Sequence, residues 1–516
     1  MEWTKEQEDA IYKKGSDILV AAAAGSGKTA VLVERIIQKI LKDGIDIDKL
    51  LVVTFTNAAA SEMRERVLDA IYKKLEEEPE NENLERQLVL LGKSSISTIH
   101  SFCLDVIRNN FYEIDLSSNF RIAGEEEIKL LKQEVLDDLF EKLYEEQNEN
   151  FIKLVDIYTG YKGDEPLQNL VLKIYSFMQS FPYPKEWLEE AISKFEYKDE
   201  DFINSEFGKI ILSDLEEETI SAINSLKLYR NQTEKYSEME KFTAILNMDI
   251  DILKEFQTAL QTSWDKAYEH FATWDFGRWP TDKNVVLNLK EEAKNARSSI
   301  KTALSKNVKE RLIYKSEEAY SDLFEMHKIL EKLKDLIFAF SESFASKKRE
   351  KNIVDFNDIE HFALEILSKE EVAKKYQEKF EEIAIDEYQD SNQVQEYILT
   401  RISRGNNIFM VGDVKQSIYK FRGACPDLFL GKYNSYSLDG NDKGLKIQLF
   451  KNFRSKENVL TFTNKIFESI MSGSLGDIDY TEEEFLNLGA DYEEKPNGVG
   501  KAELHIIELK EEEENE

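Results

Sequence analysis

The sequence is poor in cysteine and has no long apolar run. Its two cysteines, Cys103 and Cys425, lie far apart among 516 residues and form neither a CxxC pair nor a zinc-binding spacing. No segment approaches the roughly 18 apolar residues of a membrane-spanning helix. The N-terminal segment MEWTKEQEDA is polar and acidic, unlike a signal peptide. These absences exclude a zinc site and predict a protein with no membrane association, in a reducing cytoplasm.

Positive charge is also scarce. The chain has 68 Lys and Arg residues against 101 Asp and Glu residues, a formal net charge of -33. Taken alone, this balance argues against a nucleic-acid partner, because phosphate binding needs local Lys and Arg. Net charge describes solubility more than it describes one groove. A narrow basic track on an acidic body is therefore compatible with the composition, provided that specific motifs support it.

The composition that is present is typical of a soluble globular protein, with 41% hydrophobic and 33% charged residues. The length favours about three to four domains. Short apolar runs predict strands of a parallel sheet, since they alternate with helical patterns. These runs lie at Asp17–Ala22, Leu50–Phe55, 383–387, 408–413 and 445–450.

Long Leu/Ile/Phe-periodic segments between about 121 and 350 predict helices. The aromatic-rich stretch Trp264–Pro280 is predicted to be a loop, and its tryptophans are expected to be packing residues. The sequence therefore predicts an α/β domain formed by 1–120 and 351–440 and split by a helical insertion at 121–350. A second α/β domain is predicted to begin within 441–516.

The segment AAAAGSGKT, from Ala21 to Thr29, has the form of a phosphate-binding loop between a strand and a helix. Its glycines allow a tight turn whose N–H groups point at phosphate oxygens, and the following helix directs its N-terminus at the anion. Lys28 is expected to reach the β- and γ-phosphates, and the Thr29 hydroxyl to hold Mg²⁺. The predicted nucleotide contacts are Ala22, Ala23, Ala24, Gly25, Ser26, Gly27, Lys28 and Thr29. A glycine-rich turn that binds nothing is the alternative.

An acidic partner follows a second predicted strand in IAIDEYQD. Asp386 is predicted to be the Mg²⁺-side carboxylate. Glu387 is predicted to orient and deprotonate a water for attack on the γ-phosphate. A solvated loop would have the same composition, so the interpretation depends on the phosphate loop being present too.

Six motifs in order resemble those of UvrD-like superfamily 1 helicases. They are WTKEQEDAI at 3–11, TFTNAAASEMRERV at 54–67, ISTIHSFC at 96–103, DEYQD at 386–390, VGDVKQSIYKFRGA at 411–424 and LFKNFRS at 449–455. The wording around several of them, and FNDIEHFALEIL at 356–367, resembles AddA-type helicase/nuclease subunits more closely. The resemblance covers nearly the whole chain and implies RecA-like domains, ATP and Mg²⁺ as cofactors, and DNA as substrate. It also implies 3′-to-5′ movement and an AddB-like partner in the resection of broken DNA ends.

The resemblance also implies roles for single residues. Gln7 is expected to recognise adenine, and Gln416 to sense the γ-phosphate. Arg454 and Arg422 are expected to bring cationic charge to the nucleotide cleft. Phe453 replaces a tyrosine common in relatives, and Phe421 stands where relatives often carry tryptophan.

Motifs V and VI and a nuclease signature have no counterpart after residue 455. We therefore expect the chain to be the N-terminal portion of a longer protein. Because an arginine finger contributes about 10³–10⁵ to turnover in other phosphate-loop enzymes, we expect this portion to bind nucleotide but to hydrolyse it weakly.

The predicted DNA contacts combine aromatic faces with polar groups. Aromatic stacking contributes about 1–3 kcal/mol per base without reading sequence, and the candidates are Phe55, Tyr419 and Phe421. Asn57, Arg64 and His100 are predicted to bond phosphates. The alternatives are that the three aromatics are core residues and that His100 is a satisfied polar residue.

Three functions are compatible with the sequence. The first is a DNA-translocating ATPase of the AddA type. The second is a stand-alone UvrD/Rep-like repair helicase, and the third is a nucleotide-binding module without motor activity. The acidic helical insertion favours the first over the second, whereas the net charge and the missing motifs favour the third.

Overall fold

The computed structural model describes residues 3–114, 116–159, 163–282, 285–473, 475–476, 478–490, 505 and 507, without the side chain of Arg422. The chain forms two compact units. The first comprises Met1–Val135, Tyr175–Pro184 and Ser343–Glu516, and the second comprises Leu136–Ile174 and Lys185–Glu342. The second unit lies inside the predicted insertion at 121–350.

Six parallel strands form the central sheet of the first unit. The ten strands of the described chain are β1 (Ile18–Ala22), β2 (Leu50–Thr54), β3 (Ser95–Thr98), β4 (Arg121–Ile122), β5 (Ile353–Val354), β6 (Glu382–Ile385), β7 (Ile408–Gly412), β8 (Leu445–Leu449), β9 (Lys451–Asn452) and β10 (Asn487–Leu488). The central sheet has the order β3-β2-β6-β7-β1-β8, while β4 pairs with β5 and β9 with β10. The five strands predicted from apolar runs are thus observed, within about one residue at each end.

Helices cover both faces of this sheet. Those before residue 125 and after residue 350 are α1 (Lys5–Tyr12), α2 (Lys28–Lys42), α3 (Asn57–Glu77), α4 (Glu82–Leu91), α5 (Ile99–Asn110), α15 (Phe356–Leu367), α16 (Glu370–Lys379), α17 (Gln393–Ile402), α18 (Pro426–Ser435) and α19 (Glu457–Ile470). Those between are α6 (Glu125–Glu145), α7 (Glu149–Tyr158), α8 (Glu165–Met178), α9 (Pro184–Ser193), α10 (Glu206–Thr233), α11 (Glu240–Leu260), α12 (Trp264–Ala272), α13 (Leu287–Arg311) and α14 (Ser316–Glu350).

The strands bury side chains on both faces, as a parallel sheet requires. Leu19, Leu51 and Ile383 point into a core formed with α5, α15 and α17. The neighbouring residues Val20 and Val52 point into a core formed with α1, α2, α3 and α4. This alternation explains why the strands read as continuous apolar runs, and it leaves their carboxyl ends at one edge for functional loops.

A buried charge network joins α1 and α2 to the sheet. Arg35 on α2 is 2% exposed, and its guanidinium donates to both carboxylate oxygens of Glu382 at 2.8 and 2.6 Å. The same side chain donates to the Ala10 and Lys13 carbonyl oxygens at 2.7 and 2.8 Å, at the end of α1. A buried guanidinium needs such partners to offset its desolvation. The network holds α1 beside the phosphate loop.

The last strand of the sheet corrects one predicted boundary. The segment 445–450 was expected to belong to a second α/β domain beginning at 441. Instead β8 pairs with β1, with Ile18 opposite Leu445 and Ala22 opposite Leu449. The side chains of Leu445 and Leu449 are buried in the same core as β1. The predicted boundary at 441 therefore has to move beyond Leu449.

The second unit is helical. Helices α10, α11 and α13 share a core that includes Leu215, Leu253 and Leu304. Trp264 is 2% exposed in this core and donates its indole N–H to the Tyr314 carbonyl at 2.8 Å. The predicted loop at Trp264–Pro280 is wrong for its first nine residues, which form α12, because Ser263 caps the helix through the Lys266 N–H. The tryptophans are packing residues, as expected.

Among the residues that the structure describes, every helix is too short or too polar to cross a bilayer.

Candidate functional site

The phosphate loop lies between β1 and α2. Gly25 and Gly27 have φ angles of 71° and 86°, in the left-handed region that glycine adopts without strain. Gly27 is the N-cap of α2 and offers no capping side chain, and the first turn of α2 carries no acidic residue. The backbone N–H groups of this helix end are therefore available to an anion. Lys28 and Thr29 follow directly, both half-buried.

The loop is held by the segment that follows β8. Asn452, which is 3% exposed, donates its side-chain amide to the Ala24 carbonyl at 2.6 Å. The Phe453 N–H donates to the Gly25 carbonyl at 2.8 Å. A Cβ atom at Gly25 would lie 2.7 Å from Asn452 Nδ2 and 2.9 Å from Arg454 Cβ, so only glycine fits there. The sequence analysis did not select Asn452, although the NFRS motif contains it.

Gln7 contacts the loop from the other side. It is 6% exposed and lies in the first turn of α1, where it forms a reciprocal capping box with Thr4. Its Nε2 donates to the Ser26 carbonyl at 3.0 Å, while its Oε1 accepts from the Thr4 N–H. The predicted adenine-reading residue therefore lies against the phosphate loop.

The acidic pair lies at the carboxyl end of β6. Lys28 Nζ is 3.0 Å from Glu387 Oε2, although 359 residues separate them in the sequence. Glu387 has a φ angle of 50°, an uncommon conformation for a residue with a side chain. Strain of this kind is concentrated at functional sites. The structure thus brings together the lysine and the carboxylate that the sequence assigned to one reaction.

Two carboxyl groups at this strand end have pKa values raised to about 6. For Asp386 the main cause is burial, followed by the negative charge of Glu387, and the positive charge of Lys28 opposes both. For Asp390 the causes are the same and come in the same order. A cation at this position would offset the penalty of keeping these groups ionised.

Gln389 bridges the acidic pair and β7, which the sequence analysis did not anticipate. The side chain is 1% exposed, and its Nε2 donates to Glu387 Oε2 at 2.9 Å. Its Oε1 accepts the Asp413 N–H at 2.9 Å. Because both ends of the amide are bonded, Gln389 fixes Glu387 relative to the segment after β7.

The remaining predicted nucleotide contacts are less closely placed. Gln416 is exposed, and its Nε2 donates to Asp413 Oδ2 at 2.8 Å. Arg454 is exposed beside the phosphate loop, next to Gly25. The Arg422 side chain lies outside the described residues. The roles predicted for these three side chains stay predictions.

The predicted aromatic contacts form a surface cluster. The rings of Phe55 and Tyr419 stack with their centroids 4.7 Å apart and an interplanar angle of 29°. The ring of Phe421 lies 6.0 Å from that of Tyr419. Phe55 and Phe421 are 39% and 78% exposed, so neither is a core residue. Their faces are accessible to a base.

The predicted phosphate-bonding residues have different surroundings. Asn57 is exposed in the first turn of α3. Arg64 donates one guanidinium N–H to the Ile96 carbonyl at 2.9 Å, so part of its donor set is already used. His100 Nε2 lies 3.4 Å from Glu360 Oε1, and 39% of the His100 side chain is exposed.

A single cleft of about 350 Å³ connects these groups. Its lining includes Phe55 and Tyr419, His100 and Glu360, and the three carboxylates Asp386, Glu387 and Asp390. The cleft lies at the carboxyl ends of β2 and β6, where ligands of open α/β sheets bind. The candidate nucleic-acid contacts and the candidate catalytic carboxylates therefore share one cavity.

The residues fit a nucleotide with Mg²⁺. The hydroxyl of Ser26, in a residue that is 1% exposed, has no hydrogen-bond partner among the described residues. Such an orphaned buried group is expected where a ligand completes the hydrogen bonding. In the described ranges, no three His, Cys, Asp or Glu side chains cluster to hold a metal. That agrees with Mg²⁺ being held by one or two protein groups together with phosphates and water.

Comparison with known proteins identifies the relatives of this chain. The family model for the UvrD/REP helicase N-terminal domain matches residues 3–437. An AddA-type ATP-dependent helicase/nuclease subunit of Clostridium kluyveri is 45% identical over 99% of this chain and 42% of the relative. The same protein of Clostridioides difficile is 45% identical, over 98% of the chain and 42% of the relative. That of Thermoanaerobacter sp. is 46% identical, over 98% and 43%.

The chain therefore spans about two fifths of the length of the curated relatives that it matches. These matches confirm the resemblance that the motifs indicated.

Proposed function

Since the chain belongs to the UvrD/REP helicase family, we propose that it is the ATP-binding motor portion of a DNA helicase subunit. The observation that carries the proposal is the 3.0 Å contact of Lys28 with Glu387. This contact joins the phosphate loop to the candidate general base at the wall of a cleft that also holds exposed aromatics. An ATPase site and a surface for single-stranded nucleic acid therefore adjoin.

In the proposed reaction, Lys28 exchanges partners. Its ammonium group neutralises Glu387 in the nucleotide-free protein and binds the β- and γ-phosphates when ATP enters. The exchange frees Glu387 Oε2 to accept a proton from the attacking water. Gln389 keeps the Glu387 carboxylate in place, because its Nε2 donates to that oxygen. The base is thus available when the substrate is present.

Thr29 and Asp386 would hold Mg²⁺, which neutralises charge on the phosphates when bound. The raised pKa of Asp386, about 6, supports this role, because a cation would favour the ionised carboxylate. Arg454 and Arg422 would add positive charge beside the loop, and Gln7 would read the base. Gln416, bonded to Asp413, would respond to the γ-phosphate.

Single-stranded DNA is the proposed second ligand. Phe55, Tyr419 and Phe421 offer ring faces to bases, and Asn57, Arg64 and His100 offer donors to phosphates. Because the relatives are named as one component of a helicase/nuclease, we infer that the chain works with a second component, of the AddB type, in a cytoplasmic complex. We infer 3′-to-5′ movement and a role in repairing broken DNA ends on the same basis.

The test is the affinity for labelled oligothymidine, measured by fluorescence anisotropy with and without Mg·ATP. We expect salt-dependent binding whose affinity changes when nucleotide is bound. The Glu387→Gln variant should keep this effect and prolong it, because hydrolysis falls by about 10²–10⁴ when the base is lost. The Lys28→Ala variant should abolish it, whereas Lys42→Ala, at the exposed end of the same helix, should not.

Absence of DNA binding by the parent chain would contradict the proposal and favour a nucleotide-binding module without motor activity. The net charge of -33 is the observation in favour of that alternative. Purification of the whole protein without a second component would instead favour a stand-alone repair helicase.

A further inference from the structure

A buried carboxylate in the wall of the cleft is not explained by nucleotide chemistry. Glu360 lies on α15 and is 6% exposed, and it lines the cavity beside His100. A buried carboxylate is costly unless it is paired and hydrogen-bonded. Its contacts therefore indicate what holds it there.

Two amide side chains fix the orientation of this carboxylate. Gln395 Nε2 donates to Glu360 Oε1 at 2.8 Å, and Asn392 Nδ2 donates to Glu360 Oε2 at 3.2 Å. Both donors belong to the capping box that begins α17. This cap directly follows the segment of Asp386 and Glu387, so the backbone that carries the candidate catalytic carboxylates also holds Glu360.

The remaining contact of the carboxylate is with His100. His100 Nε2 lies 3.4 Å from Glu360 Oε1. In the part of the chain that the structure describes, His100 is the one basic side chain that forms an ion pair with Glu360. The ring of His100 also meets the edge of Phe356, with the centroids 5.9 Å apart at 77°. The imidazole is thus held on two sides, while 39% of the side chain is open to the cleft.

We propose that Glu360 is a positioning residue that orients His100 toward the backbone of a single-stranded nucleic acid in the cleft. The carboxylate accepts from Nε2 and fixes the ring, which leaves the exposed part of the imidazole directed at the bound strand. An anchored side chain loses less conformational entropy on binding than a freely rotating one. The inference rests on the proposed binding of single-stranded DNA and adds a residue that acts through His100.

The experiment is a double-mutant cycle on the affinity for labelled oligothymidine, with the full chain. Glu360→Gln keeps the shape and removes the charge, and His100→Gln removes the ring. Each single variant should weaken binding by about 3- to 10-fold, the range expected for one positioned contact. The double variant should bind no more weakly than His100→Gln alone, because Glu360 acts through that ring. Glu365→Gln, on the exposed side of the same helix, is the matched control and should bind like the parent.

A general structural effect is distinguished by nucleotide binding. Fluorescent ATP should bind both single variants as it binds the parent, since neither residue contacts the phosphate loop. Multiplying losses in the double variant, or an unchanged affinity of Glu360→Gln, would overturn the inference while leaving the proposed function intact. Loss of ATP and DNA binding together in Glu360→Gln would assign the residue to the fold and also overturn it. A parent chain that does not bind oligothymidine would refute the proposed function itself.

Discussion

Replacing Asp386 by asparagine should stabilise the nucleotide-free protein while removing a group that ATP hydrolysis needs. The pKa of Asp386 rises from 3.8 to about 6, mainly through burial and next through the charge of Glu387. A carboxyl group whose pKa is higher in the folded state binds protons more tightly there than in the unfolded chain. Stability is therefore lost as the pH rises from about 4 to about 6, and the cost is complete above that range.

The size of the effect follows from the pKa values. One pKa unit corresponds to about 1.4 kcal/mol, so a rise from 3.8 to about 6 sets an upper limit of about 3 kcal/mol at pH 7.5. The side chain is only half-buried, and solvent screening reduces this figure to about 1–3 kcal/mol. At pH 5, where folded Asp386 is mostly protonated, the linkage relation leaves about half of that cost.

The assay is thermal unfolding of Asp386→Asn and parent proteins in EDTA without nucleotide, at pH 7.5 and pH 5. We expect Asp386→Asn to unfold at a higher temperature at pH 7.5, by a few degrees, since about 1 kcal/mol shifts the midpoint by about 2–4 °C in a domain of 150–250 residues. The difference should shrink by about half at pH 5. Asp439→Asn, which removes an exposed carboxylate from the same unit, should behave like the parent at both pH values. A destabilised Asp386→Asn protein, or a difference that does not depend on pH, would refute this reasoning.

Three further predictions concern the two proposed ligands. Lys28→Ala should weaken binding of fluorescent ATP by about 10- to 100-fold, because a charge-assisted contact to phosphate is lost; equilibrium titration measures this, and an unchanged affinity would place the phosphates elsewhere. Gln389→Leu should lower kcat about 10-fold with little change in KM, because Glu387 loses a donor that fixes it; steady-state kinetics with the full-length protein decides this, and a pure KM effect would contradict it. Phe55→Ala should weaken oligothymidine binding by about 5- to 100-fold through lost stacking; anisotropy titration measures it, and equal affinity of variant and parent would show that this ring does not bind bases.

The phosphate loop, the acidic pair and the strands were predictable because their signals are local. Each strand is a short apolar run, and Gly25 to Thr29 carry their chemistry in consecutive positions. The contact of Lys28 with Glu387 was also expected, because both residues follow strands of one parallel sheet and such strands end at one edge.

The rest depends on contacts that no local pattern encodes. The segment 445–450 reads as a strand, but only its pairing with β1 shows that it completes the first sheet. Asn452, Gln389 and Glu360 are polar residues in unremarkable local contexts. Their roles come from partners 428, 24 and 260 positions away, respectively Ala24, Asp413 and His100. A loop was predicted at Trp264–Ala272 because its aromatics lack helical periodicity, whereas tertiary burial of Trp264 stabilises a helix there.

Titration of the chain with fluorescent ATP in the presence of Mg²⁺ tests the central claim most directly. The account predicts saturable binding that Lys28→Ala weakens by about 10- to 100-fold and that Glu387→Gln leaves near the parental affinity. The control Lys42→Ala should bind as the parent does. Non-saturable binding by the parent, or equal affinity of the parent and Lys28→Ala, would contradict the assignment of the ATP site.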